Sequence, residues 1–279
     1  MKKKSILLII GLLVITLLAG CTKAKPTGEA TIAEGDVEGD VTVLTIGATP
    51  VPHMEILEFI QPILLEEGIQ LNITEFTDYV TPNLALADGE IDANFFQHVP
   101  YMETFATNNN LQLSAVAKVH VEPLGLYSKK LAAFEDLEEG ATISIPNDPT
   151  NGGRALLLLE YYGLIELAED AGLEATEKDI ASNPKNLKFV ALEAPLLPRS
   201  LDDVAASVIN TNYALETGFN PVKDSLIIED ANSPYANVLT IRPEDQNNEA
   251  ILALVDVLNS PEVKAFLETK YEGAIVPAF

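Results

Sequence analysis

Short apolar runs alternate with amphipathic segments along most of the chain from Val41 onward. VTVLTIG (41–47) and LNITEF (71–76) predict strands, and MEILEFIQPILLEEG (54–68) between them has the spacing of a helix that ends on Gly68. These three segments predict a βαβ unit. ANFFQ (93–97) and LSAVAKVHV (113–121) predict two further strands. The pattern therefore favours an α/β fold.

The same alternation continues through the second half of the chain. Strands are predicted at ATISIPN (141–147), NLKFVAL (186–192), SVIN (207–210), SLIIED (225–230) and ANVLTI (236–241). Helices are predicted at GRALLLLEYYG (153–163), SLDDVAA (200–206), TNYALETG (211–218), NNEAILALVDVLNS (247–260) and PEVKAFLETKYEG (261–273). The part of the chain after residue 40 is large for one sheet, so two α/β lobes are expected. We place lobe 1 at 41–122 plus 236–279 and lobe 2 at 123–235.

The first twenty residues follow a different pattern. Three lysines at 2–4 precede the apolar run ILLIIGLLVITLLA (6–19), which is shorter than the roughly 20 residues that span a bilayer and is typical of a signal peptide. The alternative is an uncleaved membrane anchor. LLAGC (17–21) resembles the bacterial lipoprotein signal, which implies cleavage after residue 20 and attachment of lipid, including palmitate, to Cys21. Residues 21–40 then form a flexible tether with a span of roughly 25 Å.

Charge and cysteine content narrow the function further. The net charge is −25, and it falls to −28 once the three lysines of the signal are removed. A nucleic acid partner is not expected, because binding a polyanion relies on Lys and Arg. An anionic membrane surface would repel the domain as well, so membrane contact is expected through the lipid alone. Cys21 is the single cysteine, which excludes an internal disulfide.

The sequence carries few residues suited to catalysis. The P-loop, dinucleotide-binding and G-x-S-x-G patterns do not occur. The three histidines, His53, His98 and His120, have no ligand spacing between them, so neither a metal site nor a cofactor is expected. The acidic residues are interpreted as solvated surface, and the protein is not expected to be an enzyme.

Several long blocks of sequence resemble one family. They are GATPVPHMEIL (47–57), EFTDYVTPNLALADGEIDANFFQHVPYM (75–102), IPNDPTNGGRALLLLE (145–160), LPRSLDDVAASVINTNYAL (197–215) and DANSPYANV (230–238). Together they resemble the methionine-binding lipoproteins of bacterial ABC importers, the NlpA/MetQ-type substrate-binding proteins. The resemblance implies a type II periplasmic-binding-protein fold with two α/β lobes joined by a two-segment hinge around a ligand cleft. It also implies that the protein works with an ABC permease and its ATPase subunit on the outer face of the bacterial cytoplasmic membrane. The protein is expected to be a monomer.

The resemblance further implies which residues contact the ligand. They are Tyr79, Phe96, His98, Tyr101, Arg154, Asn210 and Asn237. Arg154 is suited to bind the ligand carboxylate, because a planar guanidinium can donate two parallel hydrogen bonds to its two oxygens. We expect Arg154 to open its helix, where free backbone N–H groups favour the same anion, and Gly152 and Gly153 to let the ligand approach. The alternative is a solvated arginine.

Tyr79, Phe96 and Tyr101 are the expected thioether pocket, because sulfur packs favourably on aromatic rings. In a strand, Phe95 and Phe96 point to opposite faces, so one lines the pocket and the other joins the core. The alternative for each ring is ordinary core.

The remaining polar residues are less clearly assigned to ligand binding or to a structural role. His98 adjoins the aromatic wall, and its alternative is a structural role, whereas His53 is expected to close the turn after the first strand. Asn210 ends a predicted strand, and α/β folds bind ligands at the carboxyl ends of their strands. Its amide could bind either end of a zwitterion, although Asn212 is an alternative candidate for this contact. No carboxylate partner for a ligand ammonium emerges from the sequence.

The nature of the ligand stays open between L-methionine, D-methionine and a methionine-containing dipeptide such as glycyl-methionine. A surface lipoprotein that acts as an enzyme or an adhesin is the alternative outside the binding class.

Overall fold

The computed structural model describes residues 41–230 and 233–279. The expected signal peptide (1–20), the expected lipidation site Cys21 and the expected tether (21–40) lie outside the described residues.

The strands of the described chain agree with most of the predicted ones. In chain order they are β1 (Thr42–Ala48), β2 (Ile69–Glu75), β3 (Ala93–His98), β4 (Ser114–Val121), β5 (Gly125–Tyr127), β6 (Thr142–Pro146), β7 (Glu166–Leu167), β8 (Ile180–Ser182), β9 (Lys188–Leu192), β10 (Ala206–Ile209), β11 (Ile227–Ile228), β12 (Ala236–Ile241) and β13 (Val276–Pro277).

The helices alternate with these strands. They are α1 (Glu55–Glu66), α2 (Thr81–Ala87), α3 (Val99–Asn109), α4 (Pro149–Tyr161), α5 (Leu197–Ser200), α6 (Thr211–Glu216), α7 (Pro221–Asp224), α8 (Glu249–Leu258) and α9 (Pro261–Tyr271). Shorter helical turns occupy Pro50–Met54, Phe134–Asp136, Glu177–Asp179, Ala194–Leu196 and Pro243–Asn247. Across 41–230 and 233–279, none of the helices combines the length and the apolar character needed to cross a bilayer.

Two mixed sheets organise the chain. The first has the order β13-β4-β12-β3-β1-β2, and the second has the order β11-β5-β10-β6-β9. In the first sheet β1 is parallel to β2 and β3, whereas β12 is antiparallel to β3 and β4. In the second sheet β6 is parallel to both β9 and β10. Each sheet therefore has parallel strands whose carboxyl ends share one edge.

The chain passes between the two sheets twice. It leaves the first sheet after Val121 and enters the second at Gly125, and it returns between Ile228 and Ala236. The lobe boundaries predicted at 122/123 and 235/236 fall within these two connections and stay predictions.

Each sheet has its own apolar core. Helix α1 places Ile56, Leu57, Ile60 and Leu64 against the first sheet, where they are fully buried. Helices α8 and α9 add buried side chains to the same core, and α4 supplies Leu156 and Leu159 to the core of the second sheet. Since burying such a side chain contributes about 1.5 to 3 kcal/mol, the two cores hold the elements around the sheets in place.

The helix that carries Arg154 begins earlier than expected. Asp148 accepts a hydrogen bond from the backbone N–H of Asn151 at 2.9 Å, and Pro149 takes the first helical position. Arg154 thus lies in the second turn, so the expectation that it opens the helix is wrong.

The two glycines of this helix accommodate the chain itself. A Cβ at Gly153 would lie 2.2 Å from the carbonyl oxygen of Leu173, and one at Gly152 would lie 2.9 Å from that of Pro146. The close approach at Gly152 and Gly153 is therefore made by the protein's own backbone, whereas the sequence led us to expect a ligand there.

The prediction of a helix at 200–206 is also wrong. Helix α5 ends at Ser200, and a turn follows in which the N–H groups of Asp203 and Val204 bond the Ser200 carbonyl. The backbone N–H of Ala205 already bonds Thr142 in the second sheet, which leaves room only for a turn before β10.

Candidate functional site

A cavity lies at the carboxyl ends of β3, β6 and β10. It holds about 330 Å³ of space free of protein atoms, part of it open to solvent. Its lining residues are Tyr79, Phe96, Gln97, His98, Tyr101, Glu122, Asn151, Arg154, Asn210, Thr211 and Asn237. All seven residues implied by the family resemblance are in this set. The position agrees with the rule that open α/β sheets bind ligands beyond the carboxyl ends of their strands.

Three aromatic rings form one wall of the cavity. The ring of Tyr79 lies 5.9 Å from those of Phe96 and Tyr101, and the last two lie 6.1 Å apart. Phe95 points the other way into the first core, where its ring contacts His53 at 4.7 Å. The strand alternation that separated Phe95 from Phe96 is therefore present in the structure.

The hydroxyl groups of this wall are directed into the protein. The Tyr101 hydroxyl donates to the backbone carbonyl of Tyr79 at 2.7 Å, and the Tyr79 hydroxyl donates to Asn212 Oδ1 at 2.6 Å. Asn212 thereby orients Tyr79, and it is Asn210 that lines the cavity. With their hydroxyls bonded elsewhere, the two tyrosines offer ring surface to the cavity.

Arg154 is buried and held from several sides. Its Nε donates to Glu229 Oε1 at 2.7 Å, and its Nη2 donates to Glu229 Oε2 at 2.5 Å and to the Glu122 carbonyl at 2.8 Å. The ring of Tyr235 packs on the guanidinium at 4.3 Å. None of these hydrogen bonds uses Nη1, whose two N–H groups are left for the cavity.

His98 uses both ring nitrogens within the protein. Its Nδ1 accepts from the backbone N–H of Tyr101 at 3.1 Å as the cap of α3, so the proton of the neutral ring is on Nε2, which donates to Asn151 Oδ1 at 3.1 Å. Burial and, second to it, the positive charge of Arg154 lower the pKa of His98 to about 3, against the raising effect of the Asn151 bond. The neutral His98 ring therefore borders the cavity with its carbon edge.

A row of amides connects the helix cap of α4 with the cavity. Asn151 Nδ2 donates to both carboxylate oxygens of Asp148 at 3.1 Å, so its Oδ1 is the acceptor for His98 and for Asn210 Nδ2 at 2.9 Å. Asn210 Oδ1, by contrast, is buried and has no hydrogen-bond partner within the described part of the chain. An unpartnered buried acceptor beside a cavity is a position where a ligand donor would be stabilised.

Glu122 brings a carboxylate to the cavity. Its Oε1 lies 2.8 Å from His120 Nε2 and 3.2 Å from His53 Nε2, and its Oε2 accepts from the backbone N–H of Asn212 at 3.1 Å. Burial raises the pKa of Glu122, and the neighbouring His53, Arg154 and Asn212 N–H oppose that rise. No carboxylate for a ligand ammonium emerged from the sequence, and Glu122 has that chemistry.

His53, His120 and Glu122 are residue types that also hold metals, and their ligand atoms all lie within 4.8 Å of one another. Their sequence spacing gave no reason to group them. The hydrogen bond from His120 Nε2 to Glu122 and the 3.2 Å contact of His53 Nε2 with the same carboxylate oxygen account for the short distances. His53 Nδ1 is 2.8 Å from the Thr49 hydroxyl. His53 does interact with the turn after β1, as expected, through Thr49.

Six residues of this site did not emerge from the sequence: the lining residues Gln97, Glu122, Asn151 and Thr211, and the Arg154 partners Glu229 and Tyr235. Glu122 carried a signal that could have been used, because it is an acid directly after the apolar strand β4 and before Pro123. The roles of Asn151, Glu229 and Tyr235 depend on partners distant in sequence.

Comparisons with known proteins agree over nearly the whole described chain. The family model for NlpA lipoproteins matches residues 44–279. The D-methionine-binding lipoprotein MetQ of Escherichia coli K12 is 40% identical over 250 residues, which are 88% of this chain and 92% of that protein. The methionine-binding lipoprotein MetQ of Bacillus subtilis 168 is 41% identical over 239 residues, which are 84% of this chain and 87% of that protein.

A solved structure gives the same result for the fold. A nutrient binding protein from Burkholderia cenocepacia, solved bound to methionine, superposes with a TM-score of 0.82 at 42% identity and covers 85% of this chain and 100% of its own. The expected two-lobed α/β fold of the periplasmic binding proteins is confirmed. The expectation of a binding protein that is not an enzyme is confirmed by these relatives as well. The extent of the family match and identities of 40% and above show that the chain belongs to the NlpA lipoprotein family.

Proposed function

We propose that this protein is a lipid-anchored substrate-binding protein that captures methionine in the cavity and delivers it to an ABC permease driven by a separate ATPase subunit. One observation carries the proposal: a single cavity combines a guanidinium, a carboxylate and an unpartnered amide oxygen with three aromatic rings. These groups match the anion, the cation and the apolar side chain of a methionine zwitterion.

The ligand carboxylate binds Arg154. The guanidinium has five N–H donors, and Glu229 and the Glu122 carbonyl leave the two on Nη1. Glu229 and Tyr235 fix the plane of the guanidinium, so little side-chain entropy remains to be lost on binding.

The ligand ammonium binds Glu122 and Asn210. A carboxylate oxygen and a buried amide oxygen are both acceptors, as a three-donor ammonium requires. Glu122 and Asn210 are each only 6% exposed. The close burial of this end favours a free amino acid over glycyl-methionine, which needs room for one more residue there.

The thioether lies among Tyr79, Phe96 and Tyr101. Each good contact between sulfur and an aromatic ring contributes about 0.3 to 1.5 kcal/mol beyond the burial of the side chain. A ligand of about nine heavy atoms has a ceiling of roughly 13 kcal/mol, so nanomolar affinity is physically accessible when the ligand is almost fully enclosed.

Contacts between the two proposed lobes support such enclosure. The bond from the Tyr79 hydroxyl to Asn212 and the bond from the Tyr213 hydroxyl to the Thr77 carbonyl join them at one rim. The His98 to Asn151 bond joins them at the cavity itself. Closure on the ligand would form these bonds, and a permease could then distinguish the loaded protein from the empty one.

Lipid on Cys21 would anchor the protein on the outer face of the cytoplasmic membrane, which is the periplasmic side in a Gram-negative cell. The charge of −28 keeps the domain off an anionic bilayer, and the tether lets it reach the permease. We expect it to act there as a monomer.

Ligand capture is tested on protein that has been unfolded to release bound molecules and then refolded. Mass spectrometry of the released fraction should identify methionine. Calorimetric titrations with L-methionine, D-methionine and glycyl-methionine should then give the order of affinities. Arg154→Ala should nearly abolish binding, whereas the exposed Arg199→Ala should bind as wild type does.

Absence of both a released ligand and any response to the three compounds would instead favour a surface lipoprotein of another class. Delivery is tested separately, by methionine uptake in cells whose only copy of the gene encodes Cys21→Ser. Uptake at the wild-type rate in those cells would contradict the requirement for the anchor.

A further inference from the structure

Three N–H groups from three parts of the fold surround the carboxylate of Glu122. His53 comes from the turn after β1, His120 comes from β4, and the backbone N–H of Asn212 comes from α6. His120 Nε2 donates to Oε1, and Asn212 donates to Oε2. His53 Nε2 lies 3.2 Å from Oε1, and its hydrogen bond goes to Asn237 Oδ1. A carboxylate has about four lone-pair positions, so one position on Oε2 remains.

The proton positions on His53 follow from its neighbours. Nε2 faces two acceptors, Glu122 Oε1 at 3.2 Å and Asn237 Oδ1 at 3.3 Å, so Nε2 carries the proton. Nδ1 is then an acceptor, and the Thr49 hydroxyl donates to it at 2.8 Å. Thr49 therefore selects the tautomer of His53 whose Nε2–H group faces Asn237 and the Glu122 carboxylate.

Packing restrains both histidine rings. The ring of Phe95 lies edge-on to His53 at 4.7 Å and to His120 at 5.4 Å, and both histidines are no more than 1% exposed. Neither histidine lines the cavity, whereas Glu122 does. A buried carboxylate is costly unless it is hydrogen-bonded, and a site that needs one must supply the donors.

We propose that His53 and His120 are positioning residues that hold the Glu122 carboxylate with its remaining lone pair toward the cavity, where it accepts the ligand ammonium. The inference rests on the proposed capture of an amino acid. It assigns a binding role to two residues that touch no ligand, and it explains why both histidines face Oε1, the oxygen that is not needed for the ligand.

Removing a donor should therefore affect the ammonium end of the ligand alone. The probes are L-methionine and 4-(methylsulfanyl)butanoate, which keeps the carboxylate and the thioether but has no amino group. In His120→Leu the donor is lost, and methionine affinity should fall about ten- to hundredfold, as is typical for a hydrogen bond to a charged group. Affinity for the desamino probe should change by less than about threefold, because that probe does not use Glu122.

Two further variants distinguish a role in positioning Glu122 from a role in folding. His120→Gln retains an N–H donor and should recover most of the methionine affinity. Thr49→Val keeps the side-chain volume and leaves both histidines in place, but it no longer fixes the His53 tautomer, so it should weaken methionine binding selectively. It also tests the inference if His120→Leu fails to fold.

Three results would overturn the inference. One is an equal loss of affinity for both probes in His120→Leu and Thr49→Val, which indicates a structural role. A second is unchanged methionine affinity in those two variants. The third is stoichiometric zinc in the purified protein that disappears in His120→Gln, which would make the histidines metal ligands. If wild-type protein binds neither probe, the proposed function itself has failed.

Discussion

Glu229 binds Arg154 through two parallel hydrogen bonds, from Nε to Oε1 at 2.7 Å and from Nη2 to Oε2 at 2.5 Å. The guanidinium is 2% exposed, and Glu229 also accepts the backbone N–H of Leu124 at 3.0 Å. The pair therefore connects helix α4 with the two chain segments that run between the sheets, in addition to aiming Arg154 at the cavity.

Removing this counter-charge should be strongly destabilising. Glu229→Gln leaves a buried guanidinium without the anion that it is hydrogen-bonded to, and breaking a buried pair in this way costs about 3 to 5 kcal/mol. Urea unfolding without ligand measures the change. Asp202→Asn is the matched control, because it breaks the exposed pair with Lys129 and should cost less than about 1 kcal/mol. Equal effects of the two substitutions would contradict the role of Glu229.

The adjacent phenylalanines should separate stability from binding. Phe95→Ala opens a hole in the first core and should cost about 3 to 5 kcal/mol of unfolding free energy. Phe96→Ala removes a ring that already borders a cavity, so the loss of stability should be smaller. Its loss of methionine affinity should be larger, about tenfold or more, because a contact with sulfur and its burial disappear. Urea unfolding and calorimetry on both variants give the comparison, and the opposite order would place Phe95 in the ligand wall.

Gly153→Ala should destabilise a helix that alanine would normally stabilise. Glycine in a helix interior ordinarily costs about 1 kcal/mol relative to alanine. Here the new Cβ would lie 2.2 Å from the Leu173 carbonyl oxygen, and such overpacking costs typically about 1 to 3 kcal/mol. Gly172→Ala, with nothing within 4 Å of its Cβ, is the control and should be neutral or slightly stabilising. Thermal unfolding of the two variants measures the difference, and a Gly153→Ala protein as stable as wild type would contradict the close approach.

The contribution of the buried histidines to stability should fall in mild acid. The pKa of His98 is lowered to about 3 by burial and by Arg154, whereas an unfolded histidine titrates near 6.5. Between those values the unfolded chain binds a proton at His98 that the folded chain does not, so the contribution of His98 to the free energy of unfolding decreases as pH falls below about 6.5. Burial lowers the pKa of His53 to about 4 and that of His120 to about 3, which acts in the same direction.

Urea unfolding from pH 7.5 to 4.5 measures this dependence. In His98→Asn the slope should be smaller by up to about 1.4 kcal/mol per pH unit, which corresponds to one proton. Tyr101→Phe loses a hydrogen bond but keeps all three histidines, so its slope should match that of wild type. A His98→Asn slope equal to that of wild type would show that His98 does not titrate on unfolding.

The order of strands and helices was largely predictable because periodicity is a local property. Two predictions were wrong: the start of the helix that carries Arg154 and the helix at 200–206. In both cases contacts between distant parts of the chain outweighed the local sequence pattern. Asp148 followed by Pro149 is a helix start, yet the helix was predicted to begin only at Gly153. The glycines at 152 and 153 were assigned to ligand approach, since their close contacts with Pro146 and Leu173 are visible only in the fold. SLDDVAA has helical spacing, but the pairing of Ala205 with Thr142 prevents the helix.

The site was predictable where one residue suffices to suggest the chemistry. Arg154 and the aromatic wall are of this kind, and the family resemblance pointed to the same cavity-lining residues. The grouping of His53 with His120 and Glu122 depends on sheet order, because β12 and β3 separate β4 from β1. Pairs such as Arg154 with Glu229, far apart in sequence, likewise need the folded chain to bring them together.

Asn212 bonds the Tyr79 hydroxyl through its side chain and the Glu122 carboxylate through its backbone N–H. Moving α6 away from Tyr79 would thus disturb the acceptor of the ammonium in the same motion. For the proposed ligand, the thioether end and the amino end would be released together, so dissociation should follow a single exponential whose rate is that of opening.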